Sequence, residues 1–206
     1  STITFKDGAM ITGGDSFIFT HEDQVYMIPE SSENKDIRLY KREKFPSKWT
    51  LEKILMSDVS AADTMIFFKN NIWFMLTNID SANCSDHNSE LHVFYTTNFN
   101  SNSWKPINPT NPIIFDSLRS RNGGMFSHKG VTYRVNQTHA KGRYGKSFAI
   151  NKIHEISENE FIEEKISEVS ANFKDGIVAT HGFSANEKVA AVDYAREQRL
   201  VWAKRT

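Results

Sequence analysis

Three acid or amide side chains recur at one fixed distance from an aromatic residue. Asp15 stands four residues before Phe19 in DSFIFTHEDQVY, Asp63 four before Phe67 in DTMIFFKNNIWF, and Asn122 four before Phe126 in NGGMFSHKGVTY. In each run a second aromatic (Tyr26, Phe74, Tyr133) follows the anchor by seven. Carboxylates brought together in space can divide acid and base roles, or accept hydrogen bonds from a ligand's hydroxyls. The plainer alternative is local: Asp and Asn start strands because their side chains stabilise the turn that precedes them. What separates the two readings is whether the fold makes the three positions converge.

Other residue types fall near these starts. Arg121 precedes Asn122 and can receive a ligand's carboxylate or phosphate, or neutralise Asp63. His181, in ATHGFSA, can assist proton transfer or ligate a metal, although it has no partner at metal-ligand spacing. The loop NQTHAKGRYG carries Gln137, His139, Lys141, Arg143 and Tyr144, a set able to stack on a sugar ring and hydrogen-bond its hydroxyls, or simply a solvated turn relaxed by Gly142 and Gly145. Trp73 sits in an inner hairpin within reach of a ligand, whereas Trp49 and Trp104 occupy equivalent outer places that packing explains. His21, His87, His92, His128 and His154 fall in turns or mid-strand without helical pairing. No zinc motif, phosphate-binding glycine loop, Gly-x-Ser-x-Gly elbow or Cys-His pair is present, so no metal or cofactor is expected.

The spacing of the anchors identifies the elements that must position them. Starts at Asp15, Asp63 and Asn122 lie 48 and 59 residues apart, near the period of roughly 40 to 50 residues that marks a propeller or solenoid. After each hairpin comes an alternating strand (DIRLYKRE, ELHVFYTT, SFAINKIH) and then a strand opening on an aromatic (Trp49, Trp104, Phe161). Four antiparallel strands repeated in series make the blades of an all-β propeller whose innermost strands line a central channel. A fourth repeat begins near residue 178, with its hairpin turn at Ala185–Lys188 and without the anchor aromatic. Ring closure would gather Asp15, Asp63, Asn122 and His181 at one mouth of the axis. The run STITFKDGAMI reads as the outermost strand of a preceding blade, so residues 1–206 are expected to form one propeller domain that lacks part of a first blade.

The totals bound the partners. Twenty-five basic and 25 acidic residues give a formal net charge of zero over 206 residues, which supplies no overall attraction to nucleic acid or an anionic membrane and suits a neutral ligand. No apolar run nears the roughly 20 residues needed to span a bilayer, and the N-terminus lacks a secretory pattern. The compartment stays open, with the cytoplasm the default. Cys84 is the single cysteine, which excludes an internal disulfide.

From VYMIPESSENKDIRLYKREKFPSKWTLEKIL onward, together with SAADTMIFFKNNIWFMLTNI, SELHVFYTTNF and GGMFSHKGVTYRVNQTHAKGRYGKSFAINKI, the chain resembles the five-bladed propeller domain related to glycoside hydrolase family 43. Its closest subgroup stands N-terminal in glucosamine inositolphosphorylceramide transferases and beside formyltransferase-like domains in bacterial polysaccharide loci. The resemblance covers about Ile11 to Asp193. It implies five blades in the parent fold with about four represented here, a carbohydrate or glycoconjugate in the axial funnel, and an adjacent transferase domain in the parent protein. Hydrolases of this clan divide labour among carboxylates. By position Asp63 and Asp15 match inner-strand acids, and Glu30 in the recurring Pro-Glu-Ser string is the remaining acid, with pairing to Arg38 as its structural alternative. The third blade offers Arg121 and Asn122 where an acid would stand, so the hydrolytic set is incomplete. Hydrolysis, glycosyl transfer and a non-catalytic glycan-binding or protein-interaction scaffold all remain open on these residues.

Overall fold

Two-residue turns set the register of this chain. In the computed structural model, residues 4–5, 16–107, 111–140 and 143–197 are described, with the backbone alone at 4, 5, 140, 143 and 144. Glu22–Asp23, Asn70–Asn71 and Lys129–Gly130 all take positive φ values, from 47° to 75°, the backbone of the hairpin turn whose twist matches that of the strands it joins. A tight turn of fixed length puts the anchor opposite the aromatic seven residues on. Phe19 pairs with Tyr26, Phe67 with Phe74 and Phe126 with Tyr133, with ring centroids 5.3, 5.7 and 4.9 Å apart.

The architecture is an all-β propeller. Blade one comprises β1 (Thr4–Phe5), β2 (Ser16–His21), β3 (Gln24–Pro29), β4 (Asp36–Lys44) and β5 (Lys48–Ser57), in spatial order β1-β5-β4-β3-β2. The first strand therefore does not close a preceding blade. It adds in parallel to the outer edge of blade one, Thr4 beside Lys48 and Phe5 beside Trp49, where it engages backbone groups that an edge strand leaves open. Blade two comprises β6 (Ala61–Lys69), β7 (Ile72–Ile79), β8 (Glu90–Thr96), β9 (Lys105–Pro106) and β10 (Ile114–Phe115). Short β9 and β10 share the outer edge of β8. Between them the Asn111 carboxamide accepts from Val93 N at 2.8 Å and donates to Val93 O at 3.0 Å, as a peptide group would.

Blade three is a four-stranded meander of β11 (Asn122–His128), β12 (Val131–Ala140), β13 (Arg143–Ile156) and β14 (Phe161–Ser170). In blade four, β15 (Ile177–Ala179) pairs with β18 (Ala195–Arg196), and β16 (Phe183–Ala185) with β17 (Ala190–Val192). The turn between β16 and β17 spans residues 186–189, closed by Asn186 N on Val189 O at 2.9 Å. Among the described residues the one helical element is the 3-10 turn Ser32–Asn34, and no helix is long and apolar enough to cross a membrane.

Apolar faces of adjacent blades meet to form the core. Between blades one and two, Tyr26, Ile28, Leu39, Ile66, Met75 and Phe99 are buried together; between blades two and three, Met65, Leu76, Val93 and Ile153 are. Each such side chain contributes about 1.5–3 kcal/mol on leaving water, so the blades are held mainly by one another's faces. Blade four is seated by close backbone approach. A Cβ built on Gly124, whose φ is +131°, would lie 2.2 Å from Phe183 O, and one on Gly123 would lie 2.4 Å from His181 O. Gly124→Ala is expected to destabilise the chain by about 1–3 kcal/mol through backbone strain alone and to loosen β16 from β11. Hydrogen exchange at residues 183–185 should accelerate more than at β7, and uniform exchange would disprove a local seat.

Candidate functional site

The inner strands β2, β6, β11 and β16 line an axial channel of about 620 Å³ whose walls include residues 16–18, 63–65, 122–125 and 182–185, with Asp193. At its entrance Asp63 departs from ordinary strand geometry. Its φ is 47°, and the pairing of β6 with β7 shifts register between Ala62 and Met65. Strand β11 breaks register at the corresponding level, between Asn122 and Gly124. An extra residue in an inner strand redirects side chains that simple alternation would send elsewhere.

Across the two blades, Arg121 Nε donates to Asp63 Oδ2, and both side chains are largely buried (14% and 8% exposed). Gln137 Nε2 donates to the same oxygen at 3.2 Å and to Asn122 O at 2.6 Å, while Gln137 N bonds Arg121 O at 2.8 Å. Three histidines surround this pair. His87 rides on the loop after β7, which Asp80 folds by accepting from Cys84 N at 2.9 Å and Ser85 N at 2.7 Å, and its Nε2 lies 3.0 Å from Ser60 Oγ. Burial, then the Arg121 charge, lower its pKa. His139, next to last in β12, accepts Gly145 N at Nδ1 (3.2 Å), and its pKa is lowered to about 4 by burial, then by Arg121 and His181. His181 Nδ1 lies 2.7 Å from Asp193 Oδ2. Burial opposes ionisation of Asp193, but hydrogen bonds from His181 and from Gly182 N (2.6 Å) outweigh it and hold that carboxyl low.

The loop that delivers Arg121 is clamped from below. Arg134 donates to Arg119 O at 2.8 Å and to Ser120 O at 3.2 Å; Asn78 also reaches Ser120 O at 2.9 Å, and Asn136 reaches Leu118 O at 3.0 Å. Arg134 is itself fixed by Glu163, Nε to Oε2 at 2.8 Å and Nη2 to Oε1 at 2.5 Å, with side-chain exposures of 0% and 2%. Asn122, fully buried, donates to Asp63 O at 3.0 Å and Leu76 O at 3.2 Å and accepts from Arg134 at 3.2 Å. Its side chain joins blade three to blade two.

The structure thus brings Asp63, Arg121, Asn122, Gln137 and His181 to one end of the axis. Glu30, half-buried, follows Pro29, which pairs with Ser16 at the start of β2; this puts it at the same end, on blade one. Its structural alternative, Arg38, is engaged by Asp36, Nε to both carboxylate oxygens at 2.9 Å. Trp73 is not brought there. It pairs with Phe68 near the opposite end of the blade and is buried against Phe99 and His21, with centroids 4.6 and 5.0 Å away. Asp15 and the side chains of Arg143 and Tyr144 lie outside the described residues. Sequence spacing did not find His87, His139 as a group facing Arg121, or Asp193. Their one shared signal is position, at or just beyond the ends of second hairpin strands. No group of three His, Cys, Asp or Glu side chains able to hold a metal ion occurs among the described residues.

Comparison with known proteins places these features in a family context. Residues 14–194 match the family described as glucosamine inositolphosphorylceramide transferase 1, N-terminal. The chain is 33% identical over 174 residues to glucosamine inositolphosphorylceramide transferase 1 of Oryza sativa subsp. japonica, covering 81% of this chain and 22% of that protein. To the protein of the same name in Arabidopsis thaliana it is 31% identical over 153 residues, 73% of this chain and 20% of that one. It spans about a fifth of these relatives. Among solved structures it resembles exo-beta-1,3-galactanase from Phanerochaete chrysosporium, crystallised with beta-1,3-galactotriose, at TM-score 0.66 and 13% identity over 96% of this chain and 47% of that one. A thermostable family-43 glycoside hydrolase aligns at TM-score 0.61 and 13% identity over 90% and 64%. At such identities the likeness is one of fold.

Proposed function

This chain belongs to the family of the glucosamine inositolphosphorylceramide transferase 1 N-terminal domain, and from that membership we propose that its axial mouth binds a sugar or glycoconjugate without hydrolysing it, as a glycan-holding module beside a transferase domain. A carbohydrate-related role follows from the family and the shared propeller fold; binding at this mouth is the added step. The observation that carries it is Asp63, which lines a channel of about 620 Å³ and is held there by Arg121 and Gln137. A buried carboxylate and amide held by neighbours form the kind of fixed polar set that orients a hydroxylated ring. Proton abstraction by Asp63 would disrupt its ion pair with Arg121, so this carboxylate suits acceptance from sugar hydroxyls better than the work of a base.

Asp63→Asn is expected to weaken galactose binding about 10-fold, the loss of roughly 1.4 kcal/mol for a charge-assisted hydrogen bond, with the domain still folded by circular dichroism. Unchanged affinity would remove Asp63 from the site. Nitrophenyl glycosides should not be turned over; turnover abolished by Glu30→Gln would overturn the non-hydrolytic part of the reading.

A further inference from the structure

We propose that the outer edge of blade three is a docking site for an extended segment of a partner protein whose side chains alternate basic and apolar, taken up as an added strand beside β14. The site lies on the rim rather than at the axis and is independent of the sugar-binding reading. Its starting point is a difference among the blades. The outer strand of blade one, β5, takes up β1, Thr4 beside Lys48 and Phe5 beside Trp49. That of blade two, β8, takes up β9 and β10. Strand β14, ten residues long, ends the order β11-β12-β13-β14, and among the described residues nothing pairs with its outward edge. A bare edge of this kind leaves about half of the strand's N–H and C=O groups open to another strand. The two neighbouring blades show that this fold accepts short extra strands at that place.

The side chains along the edge define what fits it. Ile162 and Ile166 are 45% and 52% exposed, and Phe115 on β10 is 74% exposed. Between the rims of blades two and three, Ile114, Phe115, Phe161 and Ile162 line a cavity of about 480 Å³, which also holds one acid and one base, Asp116 and Arg119. A groove of that size takes an apolar side chain from an arriving strand. Charge then selects the partner. From Glu155 to Ser170 the chain holds six glutamates and a single basic residue, Lys165, although the protein as a whole is neutral. Glu163 is spent on Arg134, but Glu158, Glu160 and Glu164 are exposed, the last against His154. Like charges keep two copies of this edge apart, which disfavours a homodimer built on it. The same charges attract a strand that carries Lys or Arg. Main-chain hydrogen bonds would supply the affinity, and the apolar and acidic positions the specificity.

The test is titration of the folded chain with two capped peptides, one of alternating Lys and Val and one of alternating Glu and Val, followed by calorimetry and by hydrogen exchange. The basic peptide should bind about 10-fold or more tightly than the acidic one, and exchange at residues 162–168 should slow while that of β7 is unchanged. Glu160→Lys with Glu164→Lys should reverse the preference without altering the circular dichroism. The basic peptide N-methylated at successive residues keeps its charge but loses the donors of a strand, and should bind about 10-fold or more weakly. Binding of neither peptide, or equal binding of both, would overturn the basic partner. Binding that survives N-methylation, or that leaves β14 exchange unchanged, would overturn strand addition. Protection of β14 that grows with protein concentration in the absence of peptide would make a second copy the occupant and refute the proposal.

Discussion

Glu163→Gln is expected to lower the melting temperature of this chain by roughly 6–20 °C, the consequence of about 3–5 kcal/mol at 2–4 °C per kcal/mol for a domain of this size. Glu163 carries the charge that answers Arg134, and both side chains are essentially inaccessible to water. With the carboxylate gone, the guanidinium stays buried beside Arg119 O, Ser120 O and Asn122 Oδ1, which solvate it only partially. Removing the charge pair altogether is a different perturbation. Arg134→Met with Glu163→Leu should recover much of the lost stability, because a buried ion pair roughly breaks even against apolar side chains of similar volume. Yet the double variant also removes the donors that hold the loop before Arg121. Its melting temperature should therefore return towards the parent value while galactose binding stays weak. A double variant as unstable as Glu163→Gln, or one that binds normally, would separate Arg134 from the positioning role assigned to it.

The parts of this molecule that were legible in the sequence share a cause. A two-residue hairpin turn fixes the distance between a strand residue and its cross-strand partner, so Phe19 and Tyr26, Phe67 and Phe74, and Phe126 and Tyr133 recur at one offset and betray the blades. Asp63 and Arg121 were legible for the same reason, since both stand at the start of an inner strand. Trp73 shows the limit of that signal: repeat position gives the strand, but its place along the axis puts it near the Lys69–Ile72 turn, away from the mouth. Asn122 stands at the expected level, and the break after it turns its amide into the junction with blade two. His87, His139 and Asp193 lie on or beside connections whose lengths differ from blade to blade, so no period marks them. The parallel pairing of β1 with β5 rests on two residues, too few to show alternation.

Acid should weaken this fold well above the pH at which carboxylates titrate, and His139 should account for a large share of the loss. Its folded-state pKa is about 4 against 6.5 for the free side chain, so the unfolded chain takes up the proton first. Folding is favoured by this group above pH 6.5, and that contribution declines as pH falls from about 6.5 to 4. At pH 5 the loss is roughly 1–2 kcal/mol after allowance for partial solvent screening, or about 2–8 °C in melting temperature. His87, lowered by burial and Arg121, acts in the same direction. Asp193, Asp86 and Glu168, all held low, add their own losses only as pH falls below the usual carboxylate range. His139→Asn removes the titration while retaining a side-chain acceptor for Gly145 N. Melting temperatures between pH 7.5 and pH 5 should then fall less steeply in the variant than in the parent. The protonation behind that slope brings a second positive charge towards Arg121. Parallel slopes for parent and variant would show that burial and the Arg121 charge do not hold His139 neutral in the folded chain.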